Sequence, residues 1–273
     1  MQDLSSYKFK KGLYELLFAV GILLIIIGYF TFRIIDKGFI YFIFGLPLII
    51  FMPILFKRLS ISFKTIYVDK AFKDINPSLI YQPKEGLNKE FIYDCHVLRK
   101  EDKFTSEDYV SGSILEHQFI SSDVHLQHLH SNGKSTYYVT VFKGRVYQIK
   151  MSKTLTSPVY IMPNLYNNLK IREGMEKIDL ESIEFNQKFD VYAHEKFDAF
   201  YLITSKMIMR IMDFSSKAKR IMISYEEDRL TIALDTGIDY FDLKMFRPID
   251  ISYIQEIKDE LNLIEEIIVQ LSK

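Results

Sequence analysis

Two apolar runs dominate the N-terminal quarter of the chain. Residues 16–32 read LLFAVGILLIIIGYFTF without a charge, and residues 12–15 can lengthen a helix on its N-terminal side. Residues 39–56, FIYFIFGLPLIIFMPILF, are again uncharged, interrupted by Gly45, Pro47 and Pro53. Membrane helices tolerate such breakers because neighbouring groups re-satisfy the freed backbone. A span needs about 20 residues at 1.5 Å each, so both runs qualify, over residues 12–32 and 39–56. The connection Arg33-Ile34-Ile35-Asp36-Lys37-Gly38 is too short to recross a bilayer, and the pattern therefore predicts a two-helix transmembrane hairpin. Neither run shows the polar stripe of a helix packed on a water-facing core.

The flanks give the hairpin a direction. Lys8, Lys10 and Lys11 precede the first run and Lys57, Arg58 and Lys64 follow the second, so the positive-inside rule places both termini in the cytoplasm and the chain in the cell membrane as a multi-pass protein. A cleaved signal peptide is excluded, because no small-residue cleavage site follows residues 16–28 and a second full-length span comes next. The expected organisation is a membrane hairpin at residues 1–59 followed by a cytoplasmic domain at 60–273, with a β-rich part at 60–165 and an α+β part at 175–273.

Past residue 60 the periods change. Residues 61–72 continue the second helix, ending before Asn76-Pro77, since proline disfavours a helical predecessor. Tyr81-Gln82-Pro83-Lys84-Glu85-Gly86 reads as a turn-rich connection. Residues 91–162 are mostly strand: 113–130 alternates, Ser131-Asn132-Gly133-Lys134 turns the chain, and 136–142 returns as TYYVTVF, a hairpin pattern. Lys143-Gly144 is read as another turn before a strand at 145–151, and residues 158–163 form one more strand. Further on, 185–192 reads as strand, 197–214 as mainly helical, and 220–225 with 230–234 as a hairpin turned at 226–229. With connections this short the sheet is expected to be mainly antiparallel. At the C-terminus, after Asp250 as N-cap, Ile254, Ile257, Leu261, Ile264, Ile268 and Leu271 form one apolar stripe, the mark of an amphipathic helix packed on its own sheet. The fold class is α+β: the membrane hairpin, a mixed, mainly antiparallel domain, and that terminal helix.

Composition narrows the function. Thirty-five basic residues balance 35 acidic ones, so no global field draws the chain to nucleic acid. Aromatic residues reach 15% with no Trp, which suits a chain partly facing lipid. Cys95 is the one cysteine, which excludes an intrachain disulfide. Gly133-Lys134-Ser135-Thr136 resembles the end of a phosphate-binding loop, but position 128 holds His128 where glycine is needed and a strand follows rather than a helix.

The histidines are the candidate chemistry. His128 and His130 share a strand face, and two imidazoles so placed chelate zinc when a third ligand joins them; His117, Glu116 and Asp123 are the candidates for that position. Asp198, set among apolar residues, is the carboxylate to watch, with a cap or ion pair as its ordinary role. Cys95 and His96 are adjacent and, in a strand, would face opposite sides. No catalytic or cofactor-binding constellation emerges, and no cofactor is expected beyond a zinc ion.

The layout resembles a bacterial membrane family known as domain of unknown function 3137. The resemblance rests on Tyr81-Gln82-Pro83-Lys84-Glu85-Gly86, Glu107-Asp108-Tyr109-Val110-Ser111-Gly112-Ser113-Ile114, Phe142-Lys143-Gly144-Arg145-Val146, Ile183-Glu184-Phe185-Asn186-Gln187-Lys188-Phe189-Asp190-Val191-Tyr192-Ala193, and Asp198-Ala199-Phe200-Tyr201-Leu202-Ile203-Thr204. Phe200 and Ser205 stand where the family pattern has arginine and proline, so an ion pair made by that arginine has no counterpart in this chain. The resemblance implies a fold and no activity, and by analogy a LemA-type membrane protein as partner. The function expected from all of this is a membrane-tethered interaction or scaffold module. The alternatives are a membrane-bound, metal-dependent enzyme using the His128/His130 face and an accessory subunit of a membrane transport complex.

Overall fold

The computed structural model describes residues 4–35, 38–152, 154–164, 174–216, 218–239, 241–249 and 253–271. The chain divides into two compact units, Met1–Lys70 with Phe241–Tyr253, and Ala71–Tyr240 with Ile254–Lys273.

In the first unit, helices α1 (Leu4–Ile35) and α2 (Phe39–Phe63) are each longer than the apolar runs that announce them. Both are long and apolar enough to cross a membrane, and 11% and 17% of their most apolar stretches are buried. Glycines bring the two backbones together. A Cβ on Gly21 would stand 2.9 Å from that of Leu48, one on Gly28 3.0 Å from that of Tyr41, and one on Gly45 3.0 Å from the Gly21 carbonyl. Small residues are what allow apolar helices this approach, and the order of the contacts sets the helices antiparallel.

Polar contacts gather at the other end of the pair. Tyr7 packs edge-on to Phe63 and shares a 2.7 Å hydrogen bond with Ser62 Oγ. Lys64 Nζ is buried at 2.6 Å from Asp242 Oδ1, and Ser60 Oγ donates to the same oxygen. Lys11 pairs with Glu15, whose carboxylate also accepts from the Phe246 amide at 2.8 Å. Two of the six flanking cations thus carry carboxylate partners; the positive-inside rule counts Lys and Arg rather than net charge. As the sequence predicts, the helix continues past residue 60, through a π-helical stretch Lys64–Val68 into α3 (Asp69–Ile75). It stops where Asn76 Oδ1 accepts from the Ser78 amide across Pro77.

Among the described residues, the second unit is built on one nine-stranded, fully antiparallel sheet. In spatial order its strands are β1 (Ile80–Gln82), β2 (Lys103–Ile114), β3 (His117–Ser131), β4 (Thr136–Lys150), β9 (Arg229–Asp235), β8 (Arg220–Glu226), β5 (Val159–Pro163), β7 (Phe189–Ala193) and β6 (Glu176–Ile178). Around it lie α4 (Lys89–Asp94), α5 (Ile183–Lys188), α6 (Lys196–Leu202), α7 (Ser205–Ser215) and α8 (Tyr253–Leu271). Ile257, Leu261, Ile264 and Ile268 of α8 are buried, and Glu260 accepts a hydrogen bond from Tyr147 on β4, so the terminal stripe lies on the sheet as expected. The proposed cap Asp250 lies outside the described residues, as does the side chain of Leu271.

Five expectations are corrected. The alternating run 113–130 is two strands, turned at Leu115-Glu116, where both residues take positive φ; without the usual Asn or Gly, that turn leaves no mark in the sequence. Lys143-Gly144 is no turn, for β4 runs straight through it. A Cβ on Gly144 would fall 1.8 Å from the Leu234 carbonyl oxygen, so glycine is there to admit the neighbouring strand. Residues 183–188 are helical, capped by Ser182 Oγ accepting from the Phe185 amide at 3.3 Å, and the strand begins only at Phe189. The helical stretch 197–214 is two helices, since Thr204 Oγ1 caps α7 by accepting from the Met207 amide. A residue that satisfies an orphan amide starts a new helix rather than continuing the old one. Tyr81 and Gln82, expected in a turn, form the sheet's edge strand β1 before the chain turns.

Candidate functional site

The histidines separate along β3. His117 lies at its start, its Nδ1 3.0 Å from the Lys150 carbonyl oxygen. His125 Nε2 meets Thr140 Oγ1 at 2.9 Å, and burial lowers the pKa of that ring. His130 packs on the Tyr137 ring. His128 stands opposite Val139, with Nδ1 3.0 Å from Asp102 Oδ2 and 3.2 Å from Glu101 Oε2. With ten residues of extended strand between them, at about 3.3 Å each, His117 and His128 cannot share an ion. The groups that join His128 are Glu101 and Asp102, whose ligand atoms lie with His128 within 4.8 Å of one another. Neither is the third ligand expected from the sequence: they belong to the loop that leads into β2, a placement only the register reveals. Gly133 sits at φ 81° in the β3–β4 turn, where Asn132 Oδ1 accepts from the amides of Lys134 and Ser135, which is a hairpin turn and no phosphate loop. Asp198 lies in the first turn of α6, where a carboxylate complements the helix dipole.

Asp123 is part of a buried polar face. Arg145 Nε donates to Asp123 Oδ1 at 2.6 Å, with 5% of the arginine side chain exposed. Tyr81 donates to Asp108 and Tyr147 to Glu260. Carboxylate oxygens of Asp108, Asp123 and Asp239 lie within 4.8 Å of one another. Burial pushes Asp123 up to about 8, with Arg145 pulling it down and the Asp108 and Asp239 charges pushing it further up. Burial alone would lower Arg145, but Asp123, Tyr147, Glu260 and Asp108 hold it above its ordinary range.

On the sheet, strands β4, β9, β8 and β5 carry a row of polar side chains in register: Gln148 opposite Thr231, Thr231 opposite Ser224, and Ser224 opposite Tyr160. Gln148, Thr231 and Ser224 are buried and line a cavity of about 510 Å³ with the end of α4. Cys95 and His96 both line it. They do so because Lys89–Asp94 is a helix and His96 turns out of it at φ 55°, so the alternation expected of a strand does not apply. His96 Nδ1 donates to Glu226 Oε1 at 3.0 Å, and Tyr160 donates to the same oxygen at 2.8 Å. Cys95 Sγ donates to the Phe91 carbonyl at 3.1 Å and burial raises its pKa, which keeps it a thiol rather than a thiolate nucleophile.

Residues 140–273 match the family described as protein of unknown function DUF3137. Of the stretches carrying the sequence resemblance, those at 142–146, 183–193 and 198–204 fall inside the match, and those at 81–86 and 107–114 fall before it. No curated protein matches the chain. Among solved structures, the crystal structure of the mycobacterial trehalose monomycolate transport factor A, TtfA, is similar with a TM-score of 0.43 and 8% identity, covering 75% of this chain and 96% of that one. At that distance the likeness says nothing of function.

Proposed function

We propose, for a chain that belongs over residues 140–273 to the DUF3137 family, that α1 and α2 form a transmembrane anchor and that the sheet unit is a cytoplasmic interaction module held at the membrane surface. One observation carries this reading: two long apolar helices lie together with less than a fifth of their most apolar stretches buried. In water an exposed apolar surface of that extent drives association; lipid covers it at no cost. The partner is a second membrane protein, LemA-type by family analogy, and both termini face the cytoplasm.

The test is crosslinking in cells, followed by purification of the full chain in mild detergent and mass spectrometry of what accompanies it, with a variant lacking both helices alongside. A stoichiometric membrane partner lost with the helices supports the reading, and a chain extracted from membranes by alkaline carbonate overturns the anchor. Orientation needs an exposed thiol, because Cys95 is buried. Lys134→Cys in a Cys95→Ser background is expected to react with an impermeant reagent only after the membrane is opened.

A second reading is favoured by the convergence of Glu101, Asp102 and His128. Two carboxylates and an imidazole suit zinc, which takes three protein ligands at a catalytic site and keeps one position open. Retention of zinc by the purified full chain, lost in His128→Ala and in Asp102→Asn, supports a metal-dependent activity there. No retention in any of the three removes that reading.

A further inference from the structure

We infer that the cavity between the β4–β9–β8 floor and the end of α4 is a binding site for a small organic cation, an amine or guanidine with further hydrogen-bonding groups. It lies outside both the anchor and the Glu101–Asp102–His128 cluster. About 510 Å³ is the volume of a small-molecule site.

Its floor is polar where a sheet face under a helix is normally apolar. Gln148, Thr231 and Ser224 stand side by side on three adjacent strands, buried to within 8% exposure. Ser224 is well bonded, its Oγ donating to the Cys95 carbonyl at 3.0 Å, whereas the Gln148 amide is held only by weak contacts. Gln148 Nε2 reaches Cys95 Sγ at 3.3 Å and Thr231 Oγ1 at 3.5 Å, the one a weak acceptor and the other at the far limit of a hydrogen bond. Buried amides and hydroxyls cost free energy unless well bonded, so a ligand offering shorter bonds to this row is favoured.

Charge sets the ligand's sign. Asp94, Glu226 and Glu227 line the cavity against one guanidinium, Arg229. Glu226 is fixed from two sides by Tyr160 and His96, and 18% of its side chain is exposed, so a preorganised carboxylate meets whatever enters. His96 holds its side of this pair in a left-handed backbone conformation that is strained for a non-glycine residue, a strain found more often at ligand sites than elsewhere. The thiol of Cys95 is engaged and protonated, which makes this a binding site rather than a centre of thiol chemistry.

The test uses the full chain in detergent micelles and agmatine as the probe, with 1,5-pentanediol and glutarate as uncharged and anionic controls, read by calorimetry and by thermal shift. Agmatine is expected to bind saturably and raise the melting temperature while both controls do neither. Glu226→Gln is expected to weaken binding about tenfold, the loss of one charge-assisted bond. Arg229 and Glu227 are on the exposed rim, at 51% and 73% side-chain exposure, so substitutions there leave the fold intact. Arg229→Glu is expected to tighten agmatine binding several-fold and Glu227→Lys to weaken it. Absence of binding at about 10 mM agmatine, ten times the concentration that half-fills a 1 mM site, overturns the inference. So does equal binding of glutarate, or rim variants that leave agmatine affinity unchanged.

Discussion

The two ends of the β3–β4 hairpin share a sequence pattern and meet opposite fates. In β4, Tyr137, Tyr138 and Val139 are aromatic or β-branched strand formers like Phe142 and Val146, yet the first three are 50%, 50% and 43% exposed while the last two are wholly buried. The register explains the difference. β2 pairs with β3 as far as Gln127, and β9 pairs with β4 from Gly144 onward, so residues 128–131 and 136–139 have only each other as strand partners in the described sheet. Alternation decides which side chains share a face; neighbouring strands and helices decide whether that face meets water. Polar residues show the same contrast, since Asp123 and Arg145 form a buried pair while His128 stands 58% exposed beside Asp102.

The largest expected effect lies at the buried end. At about pH 9, where Asp123 is ionised, Arg145→Ala leaves its carboxylate buried without a guanidinium and is expected to cost roughly 3–5 kcal/mol of unfolding free energy. Adding Asp123→Asn should recover a substantial part of that, because a neutral amide does not need the cation. Urea titration of the full chain in micelles checks both, and an additive double variant would mean the two side chains do not act as a pair. Close behind comes Gly144→Ala. A methyl group aimed into the Leu234 carbonyl at 1.8 Å forces β4 and β9 apart, and a loss of about 2–4 kcal/mol is expected, at the upper end of what overpacking costs. Gly133→Ala at the arm's turn is expected to lose about 1 kcal/mol, since its penalty is the left-handed backbone alone and nothing lies within 4 Å of the added Cβ.

These two glycines show where the sequence was legible and where it was not. Gly133 follows Asn132 between alternating runs, a local signal, and the turn is there. Gly144 looks like the same signal, but its cause is Leu234, ninety residues away. Long periodic elements were plain: both apolar helices, the continuation to residue 75, the β8–β9 hairpin and the stripe of α8. What stayed hidden depends on pairings distant in the chain. The cavity floor forms because β9 inserts between β4 and β8, which sets Gln148, Thr231 and Ser224 in one row. His128 is visible as a ligand type, whereas Glu101 and Asp102 come to it from the loop that leads into β2. The apolar positions of residues 185–188 fit either period, and the Ser182 cap decides for helix.

The buried pair also predicts a pH dependence. Asp123 releases its proton at about 8 in the folded chain and near 3.8 when unfolded. Between those values the folded state holds the extra proton, so stability falls as pH rises, by up to about 1.4 kcal/mol per unit. The contribution is complete below about 4 and lost above about 8. Asp123→Asn should flatten this slope across pH 5–8 in urea titrations. An unchanged slope would assign the proton to another group, and a slope of opposite sign would mean that Arg145 outweighs burial and holds the carboxylate ionised.

The smallest effect is expected on the arm, and it separates stability from function. Tyr137 and Tyr138 are half exposed on opposite faces of a two-stranded segment, so truncating either to alanine should change unfolding free energy by no more than about 0.5 kcal/mol. Phe142→Ala, four residues further along the same strand and fully buried, should cost about 3–5 kcal/mol. Measured together by urea titration, the two substitutions test whether the strand's inner and outer parts differ as their register implies. Paired Tyr137→Ala and Tyr138→Ala with full stability but without the crosslinked membrane partner would put the contact on the arm, since exposed tyrosines give contact area at low entropic cost. A loss of stability comparable to that of Phe142→Ala would instead show that the arm is covered in the intact protein, and the contrast between the hairpin's two ends would fail.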